Sequence, residues 1–255
     1  MTGRLIGMVH LGPLPGSPGF AGDFDAVVGA ATADAAVLAE AGFDTLMMEN
    51  FGDAPFYADE VPAITITAMT RAAVAVREAT GLPLGINVLR NDGRAAIAIA
   101  AAVGATFVRV NVLSGAMTTD QGPIVGRAAE IGRLRAALGP AIGIAADVMV
   151  KHAVPPPGLT LESTAVDTWE RGGADALVVS GSSTGDPASM EDLRTVRAAV
   201  PEAPLLVGSG ASASTAAALL EVADGLIVGT AVKQGGVTTA PVDPARAAEL
   251  VAAAS

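Results

Sequence analysis

The chain has 255 residues, 51% of them apolar, and a formal net charge of −11; that length suits one α/β barrel, and an acidic chain without a Lys/Arg cluster has no electrostatic footprint for nucleic acid or anionic lipid. It has no cysteine, which excludes disulfides and thiolate metal sites. Its first apolar piece, in "MTGRLIGMVHLGPLPG", is short and broken by Gly and Pro, so neither a secretory leader nor a membrane span is expected and a cytoplasmic protein is.

In chain order, eight short apolar runs read as strands: "LIGMVH" (5–10), "TLMME" (45–49), "LGINV" (84–88), "FVRVN" (107–111), "IGIAADV" (142–148), "ALVVS" (176–180), "LLVG" (205–208) and "LIVG" (226–229). The Ala-rich stretches between them have helical spacing, as in Val28, Ala31, Ala35 and Leu38, or Ile66, Met69, Ala73 and Val76. The even-numbered runs are introduced by similar pieces, "AGFDTL", "VGATFV", "GGADAL" and "VADGLI", three of which place a Gly where a helix ends and the chain turns into the next strand. Eight strand–helix units predict one closed (β/α)8 barrel of the TIM type as a single domain over 1–255.

In such a barrel function sits at the carboxyl ends of the strands. The two His and two Lys fall there: His10 ends the first run, Lys151 and His152 follow the fifth, and Lys233 follows the eighth. Alternation along the strands points Asn87, Arg109, Asn111 and Asp147 to the barrel axis, with Glu49 at the end of its run. The segment "ENFGDAPFY" (49–57) then becomes the loop leaving the second strand. There Glu49 and Asp53 are suited as general base, metal ligands or hydroxyl acceptors, and Phe51, Phe56 and Tyr57 as a wall against water.

The expected catalytic side chains are Glu49, Asp147, Lys151, His152 and His10. Those expected to bind substrate are Asn50, Asp53, Asn87, Arg109, Asn111, Ser180 and Thr184. A strand running through Val150 would put Asp147 and Lys151 on one face, roughly 13 Å apart, with Lys151 as base or amine nucleophile; a turn at Met149 would leave Lys151 to pair with a carboxylate. The glycines and hydroxyls Gly208, Ser209, Gly210, Gly229 and Thr230, with the start of the helix in "SASTAAALL", suit an anion, so phosphate is expected there. No metal is assigned: Mg²⁺ remains open through Glu49, Asp53 or Asp147 with waters, and no His pair has zinc spacing.

Taken together, "GMVHLGPLPGSP", "ENFGDAPF", "INVLRNDGRAAIAIA", "RVNVLSGAMTTDQG", "ADVMVKHA", "ALVVSGSSTGDP", "VGSGAS" and "GLIVGTAVKQGG" resemble the BtpA/SgcQ family over nearly the whole chain, from Gly7 to Gly236. The resemblance implies a TIM-type barrel related to the ribulose-phosphate-binding group. The family is named for a factor needed for photosystem I biogenesis in cyanobacteria, and other members are encoded beside sugar-transport genes. One departure, "PPPG" at 155–158, makes the loop after His152 proline-rich. Two functions follow as expectations: an enzyme acting on a small phosphorylated, sugar- or nucleotide-like molecule, or a non-catalytic assembly or regulatory factor. The apolar content and charge-poor helices such as "RAAIAIAAAVG" also predict a homo-oligomer.

Overall fold

The computed structural model describes residues 4–150, 152–181 and 188–255. Eight parallel strands close into a barrel: β1 (Leu5–His10), β2 (Thr45–Glu49), β3 (Leu84–Asn87), β4 (Phe107–Val110), β5 (Gly143–Asp147), β6 (Ala176–Val179), β7 (Leu205–Val207) and β8 (Gly225–Val228). Each lies within one residue, at either end, of a run read from the sequence. Sequential strands are neighbours all the way round, and β8 closes on β1 through Leu5 with Leu226 and Ile6 with Ile227.

The helices are α1 (Phe24–Ala41), α2 (Ala63–Thr80), α3 (Gly93–Val103), α4 (Ala128–Leu138), α5 (Leu161–Val166), α6 (Met190–Ala199), α7 (Ala216–Leu220) and α8 (Pro244–Ala254). Their ends are written in the chain. Asp23 and Asp92 accept hydrogen bonds from the free amide groups of Ala26 and Ala95 at the starts of α1 and α3, and Gly42 and Gly104 close the same helices with positive φ. Ala31, Ala35 and Leu38 of α1, and Met69, Ala73 and Val76 of α2, are buried against the sheet, as the helical spacing predicts.

The pieces that introduce the even strands have a common job. Asp44 accepts hydrogen bonds from the Arg4 and Leu5 amides at the start of β1. Asp175 does so for Ile144 of β5, and Asp224 for Leu205 of β7. Thr106, in the piece before β4, donates its hydroxyl to Leu84 O of β3. A polar side chain thus stitches each odd strand to the even strand that follows it, at the barrel end away from the carboxyl termini, which accounts for the internal repeat.

Two apolar cores result. The larger lies between sheet and helices and includes Ile86, Val108, Val110 and Ile144. The smaller fills the barrel and consists of Ile6, Met8, Met47, Phe107, Ala145, Ala176, Val178, Leu206 and Ile227. Room for Phe107 comes from Gly85 on the neighbouring strand: a Cβ there would lie 2.2 Å from the ring carbon Cζ. At the mouth, a three-stranded antiparallel sheet of Ala116–Thr119, Gly122–Val125 and Ala153–Val154 sits over a third small core of Val112, Met117, Ile124 and Val150. Lys233 is buried and paired with Asp34 of α1, whose other carboxylate oxygen accepts the Val242 amide. It joins the two ends of the chain and takes no part in the mouth.

Gly85→Ala is expected to cost about 1–3 kcal/mol by overpacking and to lower the melting temperature by several degrees. Phe107→Leu in the same chain should recover part of that loss, measurable as a favourable coupling in a double-mutant cycle.

Candidate active site

The apolar filling of the barrel stops one layer short of the carboxyl ends, where the inward positions become polar. In register, His10 lies level with Glu49, Glu49 with Asn87, and Asn87 with Arg109. The lateral connections then join these groups. His10 Nε2 is 3.5 Å from Glu49 Oε1, and the His10 ring meets the Phe51 ring edge-on, with centroids 5.0 Å apart. Arg109 lies along Asp147 side-on: Nε donates to Oδ1 at 3.0 Å and Nη2 to Oδ2 at 3.1 Å. Both side chains are almost wholly buried. Asn111 Nδ2 donates to Asp147 Oδ2 at 2.6 Å, Asn87 Nδ2 to Asn111 Oδ1 and Arg109 O, and Arg109 Nη2 to Ser180 Oγ at 3.3 Å. Burial of two charges is tolerable because each is paired and hydrogen-bonded.

Above this layer a cavity of about 170 Å³ opens, floored by Met8 and Ile227 and walled by His10, Glu49 and Arg109 on one side. The turns 208–212 and 229–231 form the other side. Two glycines make this space. A Cβ on Gly208 would lie 2.4 Å from Ser180 Oγ and 3.1 Å from Arg109 Nη2, and one on Gly229 would lie 2.6 Å from His10 Cε1. The backbone N–H groups of Gly210, Ala211, Thr230 and Ala231 find no acceptor among the described residues. Ala211 is buried and the other three residues are half-buried, so these donors are left to water or to a ligand in the cavity. The expected contribution of the following helix takes another form: α7 has five residues, and the Thr215 and Ala216 amides are bonded to Ser212 O. The free donors therefore lie in the turns themselves.

The structure thus brings together Glu49, His10, Arg109, Gly208, Ser209, Gly210, Gly229 and Thr230 around one cavity, with Asn87, Asn111, Asp147 and Ser180 in the layer that holds Arg109. Ser209 turns its hydroxyl to the Gly181 amide at 2.9 Å, and Thr230 shares a hydrogen bond with Thr238. Asn50 and Asp53 lie on the far side of their loop, lining a second cavity of about 310 Å³ with Phe56, Tyr57 and Leu89. There Asn50 bonds the Leu89 amide at 2.7 Å and Asp53 the Leu14 amide at 2.8 Å, so both tie adjoining loops together. β5 ends at Asp147, and Met149 has φ of 55°, so the chain turns there. His152 is exposed and leads into the strand Ala153–Val154 of the small sheet; it does not line the cavity. Lys151 and Thr184 lie outside the described residues.

Sequence reasoning missed Met8 and Ile227 as the floor, and it missed Arg90. That side chain is buried after β3, 5.8 Å over the Phe56 ring and 3.6 Å from Asp120 at the tip of the hairpin. Its neighbour Asn91 holds Val112 through both backbone groups. The signal was available in "NVLRNDG", where three polar residues follow a strand without a Gly to turn it. Among the described residues no three His, Asp or Glu side chains converge as metal ligands do, and no helix is long and apolar enough to cross a membrane.

The chain belongs to the BtpA family, whose model matches residues 1–255. It is 51% identical over 249 residues to an uncharacterised protein of Thermococcus kodakarensis, covering 97% of this chain and 93% of that one. It is 43% identical over 249 residues to the photosystem I biogenesis protein BtpA of Synechocystis, covering 98% and 87%. Among solved structures, tryptophan synthase from M. tuberculosis superposes with a TM-score of 0.63 at 21% identity, covering 98% of this chain and 92% of that chain. That likeness confirms the TIM-barrel fold.

Removal of Asp147 alone leaves Arg109 buried without its counter-ion. Asp147→Ala is expected to destabilise the fold by about 3–5 kcal/mol, read by urea unfolding, whereas Arg109→Met with Asp147→Leu in one chain should recover most of that loss.

Proposed function

We propose that this cavity holds the phosphate of a small phosphorylated molecule, sugar- or nucleotide-like, and that the protein is an enzyme moving a proton on that molecule. The observation that carries the reading is the set of four backbone amides without acceptors, in the turns after β7 and β8, facing the His10–Glu49 pair across one cavity. Backbone amides of Gly-rich turns bind oxyanions without a net charge of their own, and the turns after the seventh and eighth strands are where barrels of this type commonly keep a phosphate. In a chain of net charge −11, such fixed dipoles supply the attraction that Lys and Arg supply elsewhere.

The roles divide by contact. His10 and Glu49 line the cavity and lie within proton-transfer reach of each other, which suits a general acid–base pair. Asp147 and Asn111 hold Arg109 and act on substrate through it. Phe51 holds His10 by its edge and keeps water from one side of the imidazole. Because the strand ends at Asp147 and the chain turns at Met149, the reading in which Lys151 pairs with a carboxylate is favoured over a base or amine nucleophile, and borohydride trapping with a substrate in hand is expected to yield no adduct.

A second reading, a non-catalytic assembly factor, rests on the 43% identity with the Synechocystis photosystem I biogenesis protein. A scaffold has no need of a polar layer built around a cavity, so the enzyme is favoured. We place the enzyme in the cytoplasm and expect it to be a homo-oligomer, with Tyr57, Ile64, Val125 and Val154 among its exposed apolar side chains.

Gly210→Val with Gly229→Val should weaken propyl phosphate binding at least tenfold by calorimetry, because the first puts a branched side chain at a φ of 76° and the second drives one into His10. Unchanged affinity in a folded variant would remove the phosphate assignment. By light scattering, a mass above one chain at micromolar concentration is expected; a monomer throughout would sink the oligomer.

A further inference from the structure

We infer that the second cavity, between the loops that leave β1 and β2, is a binding site for a small organic cation, a protonated amine carried on an apolar or aromatic body. This site is separate from the proposed phosphate site, since no residue lines both cavities. The turn 50–53 divides them: Glu49 before it faces the first cavity, and Asp53 at its end faces the second. That turn is pressed on the loop leaving β1 so closely that a Cβ on Gly52 would lie 2.4 Å from the Pro13 nitrogen.

The charge of Asp53 is the first observation. Among the described residues the buried carboxylates are Glu49, Asp53, Asp92 and Asp147. Glu49 lies beside His10, Asp147 is paired with Arg109, and Asp92 caps α3, whose first amides and dipole favour a negative charge. Asp53 has neither kind of support. Its Oδ1 accepts the Leu14 amide at 2.8 Å and its Oδ2 accepts Asn50 Nδ2 at 3.1 Å, and no cationic side chain among the described residues pairs with it. A carboxylate has about four lone-pair sites, so these bonds leave part of its accepting capacity unused, and a buried charge without a counter-ion is costly.

The second observation is the set of polar side chains around Asp53. Apart from hydroxyls, they offer the cavity no donor. Asn50 has spent its amide protons on Asp53 and on Leu89 O, and its Oδ1 takes the Leu89 amide. Ser17 Oγ is buried and has no hydrogen-bond partner among the described residues. No Lys, Arg or His lines the cavity; Arg90 lies over the Phe56 ring outside the lining and is paired with Asp120. An anion would meet the Asp53 carboxylate with hydroxyls alone to hold it. An ammonium has three donors and no acceptor, which matches Asp53 and Ser17.

The third observation is the rest of the wall, Pro18, Phe56, Tyr57, Pro62 and Leu89. Aromatic faces attract cations, and apolar walls take the body behind the amine. The cavity of about 310 Å³ is about twice the ~150 Å³ that admits benzene, so a ring fits beside the charged group. A chain of net charge −11 also draws cations to its surface.

The probes are benzylamine, protonated at neutral pH, and benzyl alcohol, which has the same ring and shape without the charge. By calorimetry on the full chain, benzylamine should bind at least tenfold more tightly than the alcohol, and benzoate more weakly than either. Nuclear magnetic resonances of residues 50–57 and 61–65 should shift as benzylamine is added, while those of 208–212 and 229–231 stay in place. In Asp53→Asn, whose Oδ1 can still accept the Leu14 amide, the gap between amine and alcohol should fall below twofold. Should that variant unfold, the order of the three ligands and the resonance shifts in the natural chain decide. Equal affinities for amine and alcohol, binding of neither, shifts confined to the turns after β7 and β8, or a gap that persists in Asp53→Asn would each overturn the site. Displacement of benzylamine by propyl phosphate would overturn it too. The phosphate reading is tested by propyl phosphate alone, so either proposal can fail while the other stands.

Discussion

Space inside an eight-stranded barrel is scarce, and how that space is allotted determines everything else in this molecule. A barrel of this size has an interior just wide enough to be filled by side chains. Here the lower part is filled by one large ring, Phe107, which is possible because β3 contributes no side chain at Gly85. Around it come Ile6, Met47, Ala176 and Leu206. At the top the same device has the opposite use. Gly208 and Gly229 withhold side chains at positions that neighbouring groups already crowd, and no bulky residue fills the space, so a cavity remains. Small residues at the bottom admit a plug, and small residues at the top admit a ligand.

The polar layer between plug and cavity is held by the Arg109–Asp147 pair. Replacing such a pair by apolar residues of similar volume often leaves stability unchanged or raised, so its presence calls for a reason other than stability. Its geometry supplies one. Asp147 receives both Arg109 nitrogens and Asn111, Asn111 receives Asn87, and Asn87 also holds the Arg109 carbonyl. The chain of bonds runs across three strands and leaves the guanidinium a single orientation. A charged group fixed in this way loses no freedom when a ligand arrives, which is the condition under which electrostatic contacts contribute most to catalysis.

Much of this was legible in the chain because strand alternation is strict. Once β4 was placed, Arg109 had to face the axis and Val108 and Val110 the helices, and the same rule located Asn87 and Asp147. The repeat before the even strands was visible as a pattern, and its cause is the stitch from Asp44, Asp175 and Asp224 to the strand before. What failed to show was whatever depends on where a strand ends. Asn50 and Asp53 read as substrate ligands because they follow Glu49, yet one residue past the end of β2 the direction reverses, and both turn to neighbouring loops. Lys233 looked like a mouth residue by its place after β8, and only the return of α8 to α1 shows it to be joined to Asp34. Long-range pairs such as Arg90 with Asp120 leave no local pattern at all.

The mouth is accordingly unequal on its two sides. Over β4 and β5 the loops are long and form a sheet of their own on a small core, and the short loop after β3 serves their backbone groups through Asn91. Over β7 and β8 the first residues of the connections are rich in Gly and leave amides without acceptors among the described residues. Amides without protein acceptors at the edge of a cavity are available to water or to a ligand. Arg109 and its partners are fixed in place on one side, and on the other the turns offer the donors that the proposed phosphate would use. A ligand seated between them would bond the two sides of the mouth to each other, so binding should draw together halves of the barrel end that the protein alone leaves joined mainly by its strands.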